Sequence, residues 1–251
     1  MFNRRDIIYL YDGTFDGLLT AVFDSFAQHE IPIGIEIDNN VQETLGVTYF
    51  YVGTDTSKAY RVRKAIAEKV SSYAMKSIYF AYLSNVADKE MKILAYIHRC
   101  FRYGKAVNSY LNDRYVADIL NAAQYVVGEA HKLKGFIRFS ELEGGILYGE
   151  ITPENRVLPC LILHFTSRYP GLPFMINDLK HHECLVYNGR ECVIRETTAI
   201  PELKFTENEL LHRKLWKEFY NTVEIKERHN EKCRMTNMPK RYWKHLTELN
   251  A

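Results

Sequence analysis

The spacing of apolar residues changes near Gly135, and this change limits the fold classes open to the chain. Between Ser57 and His131 apolar residues recur every three or four positions, which predicts helices. After Gly135 the apolar segments are short and separated by turn residues, and they predict hairpins at Gly144-Gly145 and Asn188-Gly189. Because helices and antiparallel strands occupy separate stretches, we predict an α+β fold.

The predicted architecture is a single compact α+β domain over residues 1–251. The N-terminal strand IIYLY and the strands within 136–196 are expected to form an antiparallel or mixed sheet. A loop is predicted around Pro32 and Asn39-Asn40. Helices are expected to pack against the sheet from four stretches, at 14–28, 57–131, 159–168 and 207–248. Along the chain this gives a mostly helical part, a strand-rich part and a basic helical tail, at 57–133, 135–196 and 204–251.

The overall charge of the chain does not select a class of partner. A hydrophobic content of 47% with 25% charged residues is ordinary for a globular protein, and a net charge of +2 creates no long-range field. Residues 226–245 differ, because they hold seven Lys or Arg and two Glu, a net charge of +5. The N-terminus does not resemble a signal peptide, and the longest apolar run, LPCLILHF, is shorter than the roughly 18–20 residues of a membrane span. We therefore expect a cytoplasmic protein without a membrane partner.

The five cysteines do not have the spacing of a metal or cluster site. His181, His182, Cys184 and Cys192 are residue types that bind metals, but they fall on a predicted hairpin. A two-residue turn would pair Leu185 with Cys192 and direct the two cysteines to opposite faces of the sheet. We predict ordinary strand residues here, reduced thiols, no metal and no cofactor.

The motif YDGTFDG, residues 11–17, admits three interpretations. An EF-hand loop counted from Asp12 would place Phe23 at its twelfth position, where calcium requires a carboxylate. A phosphate cradle is disfavoured because Asp12 and Asp16 would repel the anion. The favoured interpretation is a turn between a strand and a helix that is capped by Thr14 or Asp16.

A candidate catalytic group lies in LPCLILHFTSRY and the strand that follows it. His164 and Arg168 are four residues apart on a predicted helix, and Asp178 ends the next strand. Together, with His131 as a further candidate, they have the chemistry to bind phosphate or to transfer protons. The favoured alternative is structural, with an ion pair between Arg168 and Asp178 and a partly buried His164.

Two basic segments are candidates for contact with nucleic acid. The segment MPKRYWKHL offers Lys240, Arg241 and Lys244 to phosphates, and Tyr242 and Trp243 to unpaired bases. Equally, Trp243 could fill the core while its charged neighbours remain in water. Lys58 and Arg61 form a second basic face on a predicted helix, and the alternative there is a solvated face behind a cap at Asp55 or Thr54.

Several stretches in order resemble a bacterial family described as "probable DNA metabolism protein". These are YLYDGTFDGLLTAVFDSF, VGTDTSKAYRVRKAI, GFIRFSELEGGILYGEITPENRVLP, HFTSRYPGLPFMINDLK and MPKRYWKHLTE, which together span Ile8 to Glu248. The resemblance implies a gene neighbour, a radical SAM protein of DNA repair or modification, and longer relatives fused to a uracil-DNA glycosylase domain. It supplies no catalytic residues. The recurring residues matched here are Asp12, Gly13, Asp55, Lys58, Arg61, Arg138, Phe139, Tyr148, His164, Arg168, Asp178 and Trp243.

The resemblance and the basic segments together favour an accessory protein in DNA repair or modification, which binds DNA, a radical SAM partner protein, or both. Two alternatives stay open. One is a stand-alone enzyme that acts on nucleic acid or a nucleotide through the His/Arg/Asp group, and the other is a purely structural protein-interaction module. Whether the chain is an enzyme is left undecided by its sequence.

Overall fold

The computed structural model describes residues 3–39, 46–197, 203–228 and 230–249. It confirms the α+β class, and it divides the chain into two compact units, Met1–Val126 and Val127–Ala251. The single domain over residues 1–251 stays a prediction. Within the described ranges, no helix is both long and apolar enough to cross a bilayer.

The N-terminal unit is built on a three-stranded parallel sheet, in which β1 (Asn3–Tyr11) lies between β2 (Glu30–Ile37) and β3 (Thr48–Tyr51). Its buried core includes Tyr9 and Tyr11 on β1 and Leu18 and Leu19 on the first helix. The elements in chain order are β1 (Asn3–Tyr11), α1 (Phe15–Ala27), β2 (Glu30–Ile37), β3 (Thr48–Tyr51), α2 (Thr56–Lys69), α3 (Ser72–Leu83), α4 (Lys89–Tyr103), a 3-10 helix (Gly104–Ser109) and α5 (Arg114–Phe136), which continues into the second unit.

The motif YDGTFDG is the turn between β1 and α1, as predicted. Thr14 caps α1, because its hydroxyl accepts the Gly17 N–H at 2.9 Å. The Asp12 carboxylate accepts the backbone N–H and the hydroxyl of Thr14, and also the hydroxyl of Thr54 beyond β3. Burial opposes ionisation of Asp12, but these hydrogen bonds outweigh it and lower its pKa. Asp12 therefore joins the ends of two neighbouring strands.

The loop predicted around Pro32 is wrong, because Pro32 lies inside β2. The other end of that prediction, Asn40, falls outside the residues that the structure describes. β2 is an edge strand of its sheet, and an edge strand tolerates a residue without an N–H on one side. Proline is therefore weak evidence for a loop when the strand has only one neighbour.

The C-terminal unit contains a five-stranded mixed sheet, whose neighbouring strands are, in order, β4 (Ser140–Leu142), β5 (Ile146–Ile151), β6 (Phe174–Asp178), β7 (Glu183–Tyr187) and β8 (Cys192–Glu196). Only β5 and β6 pair in parallel, and the other neighbours are antiparallel. The elements are β4 (Ser140–Leu142), β5 (Ile146–Ile151), α6 (Leu158–Arg168), β6 (Phe174–Asp178), β7 (Glu183–Tyr187), β8 (Cys192–Glu196), α7 (Glu207–Val223), a 3-10 helix (Lys226–Arg228), α8 (Glu231–Asn237) and a 3-10 helix (Lys240–His245).

The structure corrects three details of the predicted architecture. The N-terminal strand and the strands of 136–196 belong to two different sheets. The stretch 207–248 contains two α-helices and two 3-10 helices. The hairpin at Asn188-Gly189 exists, but Cys192 pairs with Tyr187 instead of Leu185, because a four-residue loop replaces the two-residue turn. Asn188 stabilises that longer loop by accepting the N–H groups of Arg190 and Glu191.

Candidate nucleic-acid interface

Asp178, one of the catalytic candidates, is a structural residue at the end of β6. Its side chain is fully buried, and Oδ1 accepts the backbone N–H groups of Lys180 and His181. Its other oxygen lies 2.7 Å from Nδ1 of His181. In the part of the chain that the structure describes, Arg168 and Asp178 form no ion pair, so the predicted pair is wrong. Asp178 instead holds the turn between β6 and β7.

His164 and Arg168 do share a face of α6, one turn apart, as predicted. The ring of His164 packs edge-on against Phe165, and its pKa is lowered by burial and then by Lys134 and Arg168. The prediction of a partly buried His164 is confirmed. His131 is exposed on α5. Among these four candidates, therefore, the geometry joins only His164 and Arg168.

Tyr242 is a core residue, so its predicted role as a stacking platform for bases is wrong. Its side chain is 1% exposed, and its hydroxyl donates to Glu129 at 2.8 Å. Arg241 beside it lies 3.1 Å from Glu129 and 3.8 Å from Glu154. These carboxylates neutralise Arg241, which leaves it little charge to offer to a phosphate.

Trp243 and Lys240 also make local contacts. The Trp243 indole N–H donates to the carbonyl of Met238 at 2.8 Å, and the charged groups of Arg234 and Lys240 lie over its ring at 4.6 and 5.5 Å. Lys240 is in addition 3.7 Å from Glu231. A base stacking on Trp243 would have to compete with these two cations.

Lys58 and Arg61 lie in the N-terminal unit, where local contacts occupy them. The ammonium group of Lys58 is 2.7 Å from Asp24, and the guanidinium of Arg61 lies 4.7 Å from the centre of the Phe23 ring. Asp55 caps α2 by accepting the N–H groups of Ser57 and Lys58, which confirms the capping alternative. This face is only partly available to an external anion.

A stronger candidate is a cavity of about 340 Å³ in the C-terminal unit, which we call the basic cleft. It is lined by β4, β5, α7 and the chain after α8. Five of its lining residues are Lys or Arg and one is a carboxylate, namely Arg138, Arg213, Lys214, Lys217, Lys244 and Glu150. Of these, the sequence prediction had named only Lys244 as a nucleic-acid contact.

The two arginines of the basic cleft are held rigidly by neighbouring groups. Arg138 forms a bidentate pair with Glu248, at 2.7 and 3.2 Å. Burial works against ionisation of Glu248, but its hydrogen bonds, first among them those from Arg138, give it a lowered pKa. Arg213 donates to Glu209 and to Ser140, and it stacks 4.2 Å from the centre of the Phe205 ring. The arginines therefore shape the walls of the cleft.

The lysines supply the excess positive charge. Lys214 and Lys244 are exposed, and Lys217 is half-buried. No carboxylate within the described ranges forms an ion pair with Lys214 or Lys217. With Arg138 matched by Glu248 and Arg213 matched by Glu209, Lys214 and Lys217 carry the uncompensated positive charge of the basic cleft.

Buried polar groups line the inner wall of the basic cleft. The Tyr148 hydroxyl donates to Glu150 at 2.9 Å and accepts from the amide of Asn177 at 3.2 Å. His245 lies 3.0 Å from the hydroxyl of Thr152 through Nε2, and its Nδ1 is 3.9 Å from Glu150. Burial, followed by the charge of Lys244, lowers the pKa of His245, which favours its neutral form near pH 7.

The sequence of α7 carries a signal for this cleft. On α7, Arg213 and Lys217 are one turn apart, on the opposite side of the helix from Leu211 and Leu215. A cationic row opposite an apolar row indicates a helix that offers charge to one neighbour and apolar surface to another.

A scan against known families matches residues 87–248 to a domain of unknown function, DUF4130. The chain belongs to the DUF4130 family. The matched DUF4130 region contains every residue that lines the basic cleft, and it excludes Lys58 and Arg61. A search of curated proteins finds no match to the chain.

Proposed function

We propose that this DUF4130 protein is an accessory protein of DNA repair or modification, which holds nucleic acid in the basic cleft while a partner performs the chemistry. The observation that carries the proposal is the charge of the cleft, where five Lys or Arg face a single carboxylate. Nucleic-acid backbones are polyanions, and Lys214 and Lys217, which form no ion pair with a described carboxylate, are suited to bind their phosphates. The family resemblance supplies the biological setting.

The arrangement of the cleft also predicts how strongly salt should weaken binding. Lys214 and Lys217 form no ion pair with a carboxylate in the described part of the chain, whereas the two arginines have carboxylate partners. Two neutralised phosphates correspond to a slope of about −1.4 to −1.8 in a plot of log affinity against log salt. A slope near zero would contradict binding through phosphates.

The test is charge reversal at Lys217 and Lys244, with binding measured by fluorescence anisotropy on labelled single-stranded and duplex DNA. The Lys217→Glu, Lys244→Glu double variant should bind at least about tenfold more weakly, because it adds two repulsive charges to the cleft. The matched control is Lys105→Glu with Lys132→Glu, which makes the same change in net charge at exposed positions outside the cleft. An equal loss in both double variants would overturn the proposal.

A second surface supports the partner-binding part of the proposal. Helix α7 turns Arg213 and Lys217 towards the cleft, while Leu211, Leu215 and Phe219 on its other side are 54%, 51% and 56% exposed. None of its described residues is buried. An apolar row of this size on a helix is typical of a protein contact surface. The occupant we propose is the radical SAM protein that the family resemblance implies.

Capture of that partner tests the proposed surface directly. The tagged chain is co-expressed with the neighbouring radical SAM protein, and recovery of the complex is compared between variants. Leu215→Glu with Phe219→Glu should abolish recovery, since two buried charges at an interface have no partners. Leu163→Glu on α6 is the matched control, because Leu163 is 78% exposed but lies on a different helix. Undiminished recovery with the α7 variant would contradict this surface.

The geometry of the four catalytic candidates gives little support to the alternative of a stand-alone enzyme. It needs Asp178 to act with His164, Arg168 and His131, but the Asp178 carboxylate is buried and engaged by His181 and two backbone N–H groups. A carboxylate used in this way has no exposed oxygen for substrate. The accessory role therefore remains the favoured proposal.

A further inference from the structure

The basic cleft contains one feature that a bare phosphate site does not explain. Glu150 lines the same cavity as five Lys or Arg, and its side chain is 32% exposed. A carboxylate in this position repels a purely anionic ligand. The ligand that satisfies both sets of groups has an anionic end for the lysines and a hydrogen-bond donor for Glu150.

We propose that the basic cleft takes one unpaired nucleotide, with its phosphate at the lysines and a donor-bearing base edge at Glu150. This inference rests on the proposed nucleic-acid function and names the ligand class of the same site. It makes Glu150 a specificity-determining residue and the lysines affinity-determining residues.

The orientation of Glu150 supports this assignment. The Asn177 amide donates to the Tyr148 hydroxyl, so the proton of that hydroxyl is directed at Oε1 of Glu150. The other oxygen, Oε2, lies 3.9 Å from His245 Nδ1, which is too far for a hydrogen bond. Among the described residues no donor forms a hydrogen bond with Oε2, so this oxygen can accept one from a ligand, while Tyr148 fixes the direction of the carboxylate.

The size and lining of the cleft favour a single nucleotide over a base pair. A volume of about 340 Å³ lies at the small end of the range for ligand pockets, which begins near 300 Å³. Leu203 and Phe205 provide apolar contact area for a base. In a duplex the donor groups of the Watson–Crick edge are already paired, so they reach Glu150 only when the nucleotide is unpaired or flipped out.

The chemistry of Glu150 also ranks the four bases. Guanine presents adjacent N1–H and N2–H donors, which match the two oxygens of a carboxylate. Cytosine and adenine each present an amino group beside an acceptor. Thymine is the poorest ligand, because its single N–H lies between two carbonyl oxygens that repel the carboxylate. We expect guanine to bind about tenfold more tightly than thymine, the lower range for one good base contact.

The experiment uses labelled single strands of abasic spacers that carry one nucleotide at the centre, titrated with the full chain by anisotropy. Wild type should prefer the guanine strand over the thymine strand about tenfold. Glu150→Gln should reduce that ratio to near one, because an amide can pair with either base. Glu143→Gln, at an exposed position outside the cleft, should keep the ratio.

The outcomes separate this inference from the proposed function. Equal affinity of wild type for all four strands overturns the inference and leaves nucleic-acid binding intact, whereas absence of binding to any strand overturns both. The Lys217→Glu, Lys244→Glu variant should weaken all four strands while the ratio persists. If Glu150→Gln fails to fold, Glu150→Asp replaces it, and an unchanged ratio in the folded variant refutes the role of Glu150.

Discussion

The two units differ in whether their charged side chains are matched by nearby opposite charges. In the N-terminal unit the charges near α1 are matched locally, since Asp24 pairs with Lys58 and Asp16 with Arg63. In the C-terminal unit the basic cleft holds Lys214 and Lys217, which no described carboxylate neutralises, beside arginines that are paired with Glu248 and Glu209. Charge counts along the sequence do not distinguish these cases. Pairing in three dimensions decides which cations can bind a ligand.

Helix α1 of the N-terminal unit and helix α7 of the C-terminal unit also differ in how far their residues are buried. Eight residues of α1 in the N-terminal unit are buried, whereas α7 in the C-terminal unit buries none of its described residues. A helix whose residues are mostly buried contributes to the stability of its own fold. A helix that leaves its apolar row in water indicates a surface for another molecule.

Removal of Glu129 should be the most damaging single change in the C-terminal unit. This buried carboxylate accepts the N–H groups of Glu154 and Asn155, the side chains of Asn155 and Tyr242, and Arg241. Glu129→Ala removes the shared acceptor of these hydrogen bonds and should cost about 3–5 kcal/mol of unfolding free energy. Urea unfolding followed by tryptophan fluorescence measures the loss, because both tryptophans lie in this unit. Glu143→Ala at the surface should cost less than about 0.5 kcal/mol.

The same denaturation curves test whether the two units unfold together. Far-UV circular dichroism reports helices of both units, while tryptophan fluorescence reports the C-terminal unit alone. If Glu129→Ala separates the two transitions, the units are independently stable. If the transitions stay coincident, the chain behaves as the single domain predicted from its sequence.

Substitution by alanine should lower the stability of the protein at Gly17 and raise it at Gly128. A Cβ at Gly17 would overlap the Asp12 carboxylate and lie 2.9 Å from the Thr54 hydroxyl, so Gly17→Ala should destabilise the N-terminal unit by about 1–3 kcal/mol. A Cβ at Gly128, within α5, meets no atom within 4 Å. Gly128→Ala should stabilise by up to about 1 kcal/mol through helix propensity. Circular dichroism melting curves measure the shift in melting temperature of each variant. A shift in the same direction for both variants would contradict the packing argument.

Removal of the side-chain caps of α2 and α7 should have a smaller effect on stability. Asp55→Ala removes an acceptor for two N–H groups at the start of α2, and should cost about 1 kcal/mol of global stability. Thr206 caps α7 by accepting the Glu209 N–H. Because α7 buries no described residue, Thr206→Ala should fray that helix with a smaller loss of global stability. Hydrogen exchange at the two helix starts distinguishes local fraying from global unfolding.

The pH dependence of stability should show the smallest effect. Burial and the nearby Lys244 lower the pKa of His245 in the folded protein, so the unfolded chain binds more protons as the pH falls. The stability from neutral His245 is present above its unfolded pKa, near 6.5, and is lost as the pH falls through the folded pKa. Urea midpoints at pH 7.5 and 5.5 measure the slope. His245→Asn should flatten it, and an unchanged slope would assign the titration to another group.

Much of the fold follows from local sequence patterns. Helices α1 and α6, the turn at YDGTFDG and the hairpin at Gly144-Gly145 form where periodicity and turn residues predict them. Each depends on interactions between residues close in sequence. The division of strands into two sheets could not be read in this way, because strand pairing between distant segments leaves no local signal.

The candidate site was predicted less well, for a related reason. The segment around Tyr242 has the composition of a nucleic-acid-binding surface, but Glu129, more than one hundred positions away, draws both Arg241 and Tyr242 into a buried network. Residue type alone did not reveal that partner. Conversely, the cleft lysines come from α7 and from the chain after α8, and only the fold brings Lys217 and Lys244 to one cavity.

The position of Pro32 has a consequence for self-association of the chain. An outermost strand can act as a template on which strands of other molecules add and polymerise. Pro32 cannot donate a backbone hydrogen bond, so a ladder growing along β2 is interrupted at that residue. Replacing this proline would restore a continuous template and should promote fibril growth.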